Sequence, residues 1–431
     1  MKLEPFQRAG GDWLADRARG YLGDAPGLGK TPQAIHAADR VGARRVLVVC
    51  PALGRQMWKR QFERWSVWAP EVFVESYDKV ARDKPLRKRI RAWAPDVAIL
   101  DEAHYLINPE AKRTRAVYGA YCKGAGLASI ARHVWPMSGT PIPTHAGNAF
   151  PVLRAVFPET LTDRTSTYAG FLDRYCEQEH TDYGMRITGN RNAAELRAIL
   201  ESVMLRRTSE VWTGPPIFWQ DPYVIEPAAV AHELEALETS PEFEPLRRVI
   251  EAAALDSTKT LWADETDSLV WAAVRRLTAM AKAGTVADIL ADELEAGAYE
   301  KVLIFGQHRA ALAVVAEKLA PFGVVQIHGG QSDTFRADAQ ARFQTDPRTR
   351  VAVLQIDAGH HTITLTAANH VVFIEQSLTP DINVQAAKRA HRYGQTRPVF
   401  VRPFALAGSV DEAVSQIVTR KARDILQLIG D

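Results

Sequence analysis

Apolar residues in this chain gather into short unbroken runs, separated by stretches with helical spacing. Val46 to Cys50 is continuous, rich in valine and ends at Pro51; Val97 to Leu100 repeats the pattern, and His133 to Met137 forms a third run. Runs without polar alternation mark strands buried on both faces of a parallel sheet. Between them lie the helical patterns Gln33 to Arg40 and Arg55 to Trp65, the latter with Trp58, Phe62 and Trp65 spaced as core residues. The strand–helix alternation stops near Phe150. Mostly helical patterning follows to about Ala283, with Pro215-Pro216 and an acidic, alanine-rich portion starting at Pro227. Regular alternation resumes with Lys301 to Phe305, a helix over Arg309 to Leu319, and the runs Val324–Ile327, Val351–Ile356 and Val371–Ile374. The expected fold class is α/β: two parallel-sheet lobes, residues 1–149 and 285–431, with a mainly helical insertion at 150–284.

Candidate chemistry sits at the carboxyl ends of these runs, where open α/β sheets bind their ligands. The stretch Gly23 to Thr31 follows a short apolar segment and leads directly into a helical pattern. Gly27 and Gly29, flanking Leu28, permit a tight turn that aims backbone N–H groups and a helix N-terminus at an anion. Lys30 adds a point charge for the outer phosphates, and Thr31 a hydroxyl for magnesium. The strict pattern places Gly six residues before the Lys, where this chain has Asp24. Asp101 and Glu102 end the second run: one carboxylate organises Mg2+, the other polarises the attacking water. Ser138-Gly139-Thr140-Pro141 ends the third, where small hydroxyls suit a sensor of phosphate state and equally an ordinary polar turn. Downstream, Arg389 and Arg392 share one face of a predicted helix, spaced for two guanidinium groups to reach one phosphate. A nucleotide held by the first half would then be completed by arginines from the second, coupling closure to hydrolysis.

Composition narrows the partners. With 431 residues, 46% hydrophobic and 24% charged, the chain is of ordinary globular make-up, and a net charge of +2 leaves nucleic-acid binding to local patches. The densest is ARDKPLRKRIR, ending at Arg91, which reads equally as a solvated helix face and as a phosphate-backbone contact. The acidic surface around Glu233 to Glu251 suits no such contact. Cys50, Cys122 and Cys176 are odd in number and far apart, as expected of a reducing compartment rather than a disulfide framework. Lys2 to Arg8 mixes charge with proline, unlike a secretory leader, and a cytoplasmic location is expected, nuclear in a cell with a nucleus. His104, His360, His361 and His391 lack the spacing of a metal site.

Taken together, these motifs resemble the Swi/Snf-type branch of the superfamily-two helicase-like ATPases over almost the whole chain. GDAPGLGKT is similar to that family's motif I, in which Asp at position 24 is usual. Gln7 stands where the family has an adenine-reading glutamine; Asp101 to His104 resembles motif II, Ser138 to Pro141 motif III, and QAAKRAHRYGQ at 385–395 motif VI. Met204-Leu205-Arg206-Arg207 resembles the basic segment between the lobes. The resemblance implies RecA-like lobes, ATP and Mg2+ as cofactors, and arginine fingers at Arg389 and Arg392. It implies phosphate and metal binding by Lys30, Thr31 and Asp101, and water activation by Glu102. Gln7, Asp24, Gly27, Leu28, Gly29 and Gln385 complete the implied nucleotide set. Pro51, Ser138, Thr140, Gly329 and Thr362 are the implied coupling or DNA contacts.

By the same resemblance the chain translocates on double-stranded DNA, looks most similar to minimal annealing-helicase and fork-remodelling members, and serves replication, recombination or repair. A monomer is expected, with branched or duplex DNA and replication or repair proteins as partners. Two other readings stand beside it: a strand-separating DNA or RNA helicase, and an ATP-gated DNA clamp with an uncoupled motor. Departures from the family pattern are His360 and Thr362 in place of two motif V glycines, Ile107 in place of a Lys, and no Trp within Ser377 to Pro380. They suggest a divergent member, of phage or bacterial kind, and put coupling in doubt more than hydrolysis.

Overall fold

A computed structural model describes residues 3–419 except 53, 124, 182–183, 209–210, 212–213, 240–267, 357–362, 393, 413 and 416. The chain divides into two compact units, one ending at Thr213 and the next beginning at Gly214. Among the described residues no helix is long and apolar enough to cross a membrane.

The first unit contains the strands β1 (Tyr21–Leu22), β2 (Arg45–Cys50), β3 (Glu71–Ser76), β4 (Val97–Asp101), β5 (His133–Met137) and β8 (Met204–Leu205). They form one sheet of order β3-β2-β4-β5-β1-β8, with every pair parallel. The helices are α1 (Pro5–Ala15), α2 (Lys30–Arg40), α3 (Gly54–Trp65), α4 (Tyr77–Arg82), α5 (Lys84–Trp93), α6 (Lys112–Tyr118), α7 (Phe150–Val156), α8 (Tyr168–Tyr175) and α9 (Ala193–Val203). Strand pleating divides the core in two. Val46, Val48, Val97 and Ile99 face Ile35 and Trp58, whereas Leu47, Val49, Ala98 and Leu100 face Tyr77, Val80 and Ile90. Both faces are covered, which is why the strands read as unbroken apolar runs.

The second unit has β9 (Ile217–Trp219), β10 (Tyr223–Ile225), β11 (Val302–Gly306), β12 (Val324–Ile327), β13 (Val351–Gln355), β14 (His370–Phe373) and β15 (Val399–Leu406). Again all pairs are parallel, in the order β10-β15-β14-β11-β13-β12, with β9 also on β15. Its helices are α10 (Ala231–Thr239), α11 (Ser268–Glu295), α12 (Arg309–Lys318), α13 (Asp333–Thr345) and α14 (Pro380–Ala387).

The stretch 150–284, expected to be mainly helical, also carries five strands among its described residues. The pair β6 (Cys176–Thr181) and β7 (Gly184–Asn190) forms an antiparallel hairpin, β8 edges the first sheet, and β9 and β10 edge the second. Their signals escape periodicity for physical reasons. β6 is CEQEHT, polar after the buried Cys176, and β8 to β10 have two or three residues each.

Candidate nucleotide site

Register puts three chemical groups side by side. Leu22 at the end of β1 pairs with Met137 of β5, which pairs with Asp101 of β4. The loop after β1, the acids after β4 and the Ser138–Thr140 turn after β5 therefore open from adjacent strand ends, within two strand spacings or about 10 Å. Ser138 N–H donates to the Leu22 carbonyl at 3.2 Å, stitching two of these ends together.

The loop itself is shaped by glycine. Gly29 is the N-cap of α2 in the left-handed region, φ 72° and ψ 50°, and Gly27 has φ 93°. A Cβ on Gly29 would collide with Gln7 Nε2, and one on Gly139 would lie 2.6 Å from Pro26 Cγ. Neighbouring side chains thus pack directly onto the loop backbone at these glycines. Gly29 offers no side-chain cap, leaving the first N–H groups of α2 for an anion. Lys30 Nζ donates to the Asp24 carbonyl at 2.8 Å. Burial lowers its ammonium from the usual value, against the opposing pull of Glu102, Asp24 and Asp101. Thr31 follows in the first turn of α2, and Gln7, in the first turn of α1, donates to the Leu28 carbonyl at 3.3 Å.

The acids are held individually. Asp101 is buried; Trp58 Nε1 donates to its Oδ2 at 2.7 Å and Tyr77 OH to its carbonyl at 2.7 Å. Burial pushes the carboxyl up to about 7, the charge of Glu102 adds to this, and Trp58 and Lys30 pull it down. Glu102 takes a left-handed backbone, φ 52° and ψ 52°, an outlier for a residue with a side chain and of the kind that clusters at functional sites. Its Oε2 lies 3.2 Å from His104 Nδ1 and accepts from Ser138 Oγ at 3.4 Å. The same His104 Nδ1 is 2.9 Å from Ser138 Oγ and 3.3 Å from Thr140 Oγ1. Glu102, His104, Ser138 and Thr140 therefore form one hydrogen-bonded cluster.

These residues fit a magnesium–triphosphate: a loop turned by two glycines, one lysine, a first-turn threonine and a buried carboxyl that a divalent cation would keep ionised. Among the described residues no group of three or more His, Cys, Asp or Glu side chains could hold a metal by itself. A magnesium ion bound mainly by phosphate and water oxygens needs no such group. Pro51 is buried just past β2.

In the second unit the expected helix over Arg389 and Arg392 ends early. α14 stops at Ala387 with Lys388 as its C-cap, so Gln385 is helical while both arginines lie in the turn beyond. The backbone there bonds elsewhere: Leu365 N–H donates to the Arg389 carbonyl at 2.9 Å, and Gln395 Nε2 to the Ala368, Thr366 and Ala390 carbonyls at 2.8, 3.1 and 3.1 Å. Arg389 is buried, and Arg392 Nη1 donates to Thr364 Oγ1 at 3.3 Å. Gly329 follows β12 in open space; Thr362 and the rest of 357–362 lie outside the described residues.

Sequence reasoning gave no site role to Trp58, Tyr77 or Arg207. Trp58 could be flagged as a buried indole needing an acceptor, and Asp24 as a buried charge needing a cation. The identity of each partner depends on the fold.

Comparison with known proteins agrees with this organisation. The SNF2-related domain matches residues 66–214 and the helicase conserved C-terminal domain residues 285–394. The SWI/SNF-related matrix-associated actin-dependent regulator of chromatin subfamily A-like protein 1 of Xenopus tropicalis is 30% identical over 98% of this chain and 44% of its own length. The DNA annealing helicase and endonuclease ZRANB3 of Mus musculus is 29% identical over 98% of this chain and 40% of its own. The chain thus spans less than half the length of these relatives. The Sulfolobus solfataricus SWI2/SNF2 ATPase core in complex with dsDNA aligns over 100% of this chain and 97% of that one, at 20% identity and a TM-score of 0.42. With two domain matches that follow one another along the sequence and relatives that align over 98% of this chain, the chain belongs to the SNF2-related, helicase-like family.

Proposed function

We propose that this chain hydrolyses ATP to translocate on double-stranded DNA, annealing or remodelling branched structures in replication, recombination or repair. The observation that carries the reading is the convergence of the phosphate loop, the Asp101-Glu102 pair and the Ser138–Thr140 turn at adjacent ends of one parallel sheet.

In this reading the α2 N-terminus and Lys30 grip the triphosphate, with Asp24, Gly27, Leu28 and Gly29 forming the cradle. Gln7 reads the base, and Gln385 joins the nucleotide set. Thr31 and Asp101 would hold magnesium, which when bound neutralises charge on the phosphoryl oxygens. Glu102 orients and polarises the attacking water, and Ser138 and Thr140 are poised to respond, through His104, to its charge. Arg389 and Arg392 act as arginine fingers on the transferring phosphate. Pro51, Gly329 and Thr362 remain candidates for DNA contact.

A local basic groove supports a phosphate-backbone partner despite the low net charge. Arg82, Lys84, Arg87, Arg91, Lys112 and Arg115 line a space of about 520 Å3 beside α5 and α6. Arg87 donates to the Val80 and Ala81 carbonyls and Arg91 to the Ala125 carbonyl, so both stay cationic without a neutralising carboxylate in those bonds. The chain would act as a monomer wherever DNA is processed, the cytoplasm of a bacterium or the nucleus of a eukaryote. The test is ATP hydrolysis titrated with single-stranded, duplex and forked DNA and with RNA at two salt concentrations. Duplex and forked DNA are expected to stimulate several-fold and RNA not to.

A further inference from the structure

Where the chain begins to leave the first unit, Leu205 to Arg207 are bonded to the phosphate loop. Beyond the β1–β8 register, Gly23 N–H donates to the Leu205 carbonyl at 2.8 Å and Ala25 N–H to the Arg207 carbonyl at 2.9 Å, so the parallel ladder continues into the loop itself. Arg206 Nη1 adds a bond to the Gly23 carbonyl at 3.1 Å.

Arg207 does more than extend the ladder. Asp24 is fully buried, with a side-chain exposure of 0%, so its carboxylate needs a fixed counter-charge. Arg207 supplies it as a two-pronged fork: Nε donates to Oδ1 at 2.9 Å and Nη2 to Oδ2. The remaining donors of the same guanidinium reach two other elements. Nη1 donates to the Phe6 carbonyl at 2.5 Å, and Nη2 to Gln33 Oε1 at 2.7 Å. Gln33 returns Nε2 bonds to Asp24 Oδ2 at 3.0 Å and the Leu28 carbonyl at 3.2 Å. Gly10 leaves the room for this, since a Cβ there would collide with Gln33 Oε1 and Arg207 Nη2.

One side chain thus ties together the peptide preceding Gln7 on α1, the loop at Asp24 and the buried face of α2. Gln7 is itself aimed by two bonds, Nε2 to the Leu28 carbonyl at 3.3 Å and Oε1 from Glu4 N–H at 3.1 Å. The Phe6 anchor fixes the peptide from which that side chain extends. We propose that Arg207 is a positioning residue that sets base selectivity and phosphate-loop geometry at the nucleotide site, acting from the chain segment that leads into the second unit. This rests on the nucleotide reading given above.

The sheet order makes the effect separable from chemistry. β8 and Arg207 lie on one side of β1, while β5 and β4, which carry Ser138, Asp101 and Glu102, lie on the other. Loss of the fork should disturb base and phosphate recognition more than the water-activating cluster. A lysine cannot restore it, because one ammonium cannot satisfy two carboxylate oxygens, a carbonyl and an amide in one plane.

The test compares steady-state hydrolysis of ATP and GTP by the full chain, its R207A and R207K variants, and R207A combined with D24N, at saturating duplex DNA, with thermal melting of each. In R207A the KM for ATP is expected to rise about tenfold or more, as loss of charge-assisted bonds implies, while kcat falls less than about threefold. The ATP-over-GTP preference should collapse in both R207A and R207K. The D24N change should recover melting temperature by removing the uncompensated charge, without recovering the preference. An unchanged preference in R207A and R207K would overturn the inference, as would a loss of kcat and KM that tracks melting temperature and is repaired together with it by D24N. If the unaltered chain hydrolyses no ATP, the nucleotide reading fails as well; if it does, these variants test Arg207 alone.

Discussion

In the first unit Asp24, Asp101 and Glu102 stand at strand ends, each met by a side chain from another element: Arg207, Trp58 and Ser138. In the second, Arg389 and Arg392 stand beyond the last turn of α14, in a stretch whose backbone bonds to the Gln395 side chain and to Leu365. Both units are parallel sheets with similar apolar strands, so the contrast lies in how charge is mounted. Groups proposed to hold a phosphate and a metal, which demand placement within a few tenths of an ångström, are fixed by side chains from other elements around one sheet. The proposed arginine fingers sit where a turn, rather than a helix, sets their direction.

Substitutions can break this contrast at either end, and the largest effects belong to the first unit. Lys30→Ala or Glu102→Gln should lower phosphate release by about 10³-fold or more while changing duplex-DNA affinity less than about twofold. Equal loss of both would make these residues structural. Arg389→Ala should cost about 10³-fold in single-turnover hydrolysis with nucleotide affinity nearly intact, since an arginine finger acts on charge that develops late.

A smaller effect is expected from the supports. Trp58→Phe removes the donor to a buried carboxyl, 2.7 Å away, and should raise the magnesium concentration for half-maximal activity about tenfold, in line with other outer-shell partners. A magnesium titration reads this directly, and no shift would show that Asp101 needs no orientation. Smallest is the basic groove. Replacing Arg87, Arg91 and Arg115 with alanine should weaken duplex binding uniformly across sequences and flatten its dependence on log salt by about one unit for each phosphate no longer neutralised.

Much of this architecture could be read from the chain because buried parallel strands leave no choice of polarity. Val46–Cys50, Val97–Leu100 and Val351–Leu354 are apolar throughout, each lies in a strand, and the residues just past two of them open the site or its surroundings. The glycines of the phosphate loop were legible for the same reason: no other residue takes φ 72° and φ 93° without strain. What could not be read is pairing across sequence distance. Arg207 and Asp24 are 183 residues apart, and Trp58 and Asp101 43 apart; neither partner carries a local pattern pointing to the other. The end of α14 was equally hidden, since the residues through Arg392 keep helical spacing while their partners past the helix, Gln395, Leu365 and Thr364, lie elsewhere in the chain.

The central claim, that this phosphate loop drives a motor on duplex DNA, is met most directly by measuring ATP hydrolysis of the unaltered chain with and without blunt duplex DNA, with Lys30→Ala as control. The account predicts a several-fold rise in rate on adding duplex, none on adding RNA, and no hydrolysis by the control. A rate in duplex DNA equal to that in RNA or in buffer would contradict it.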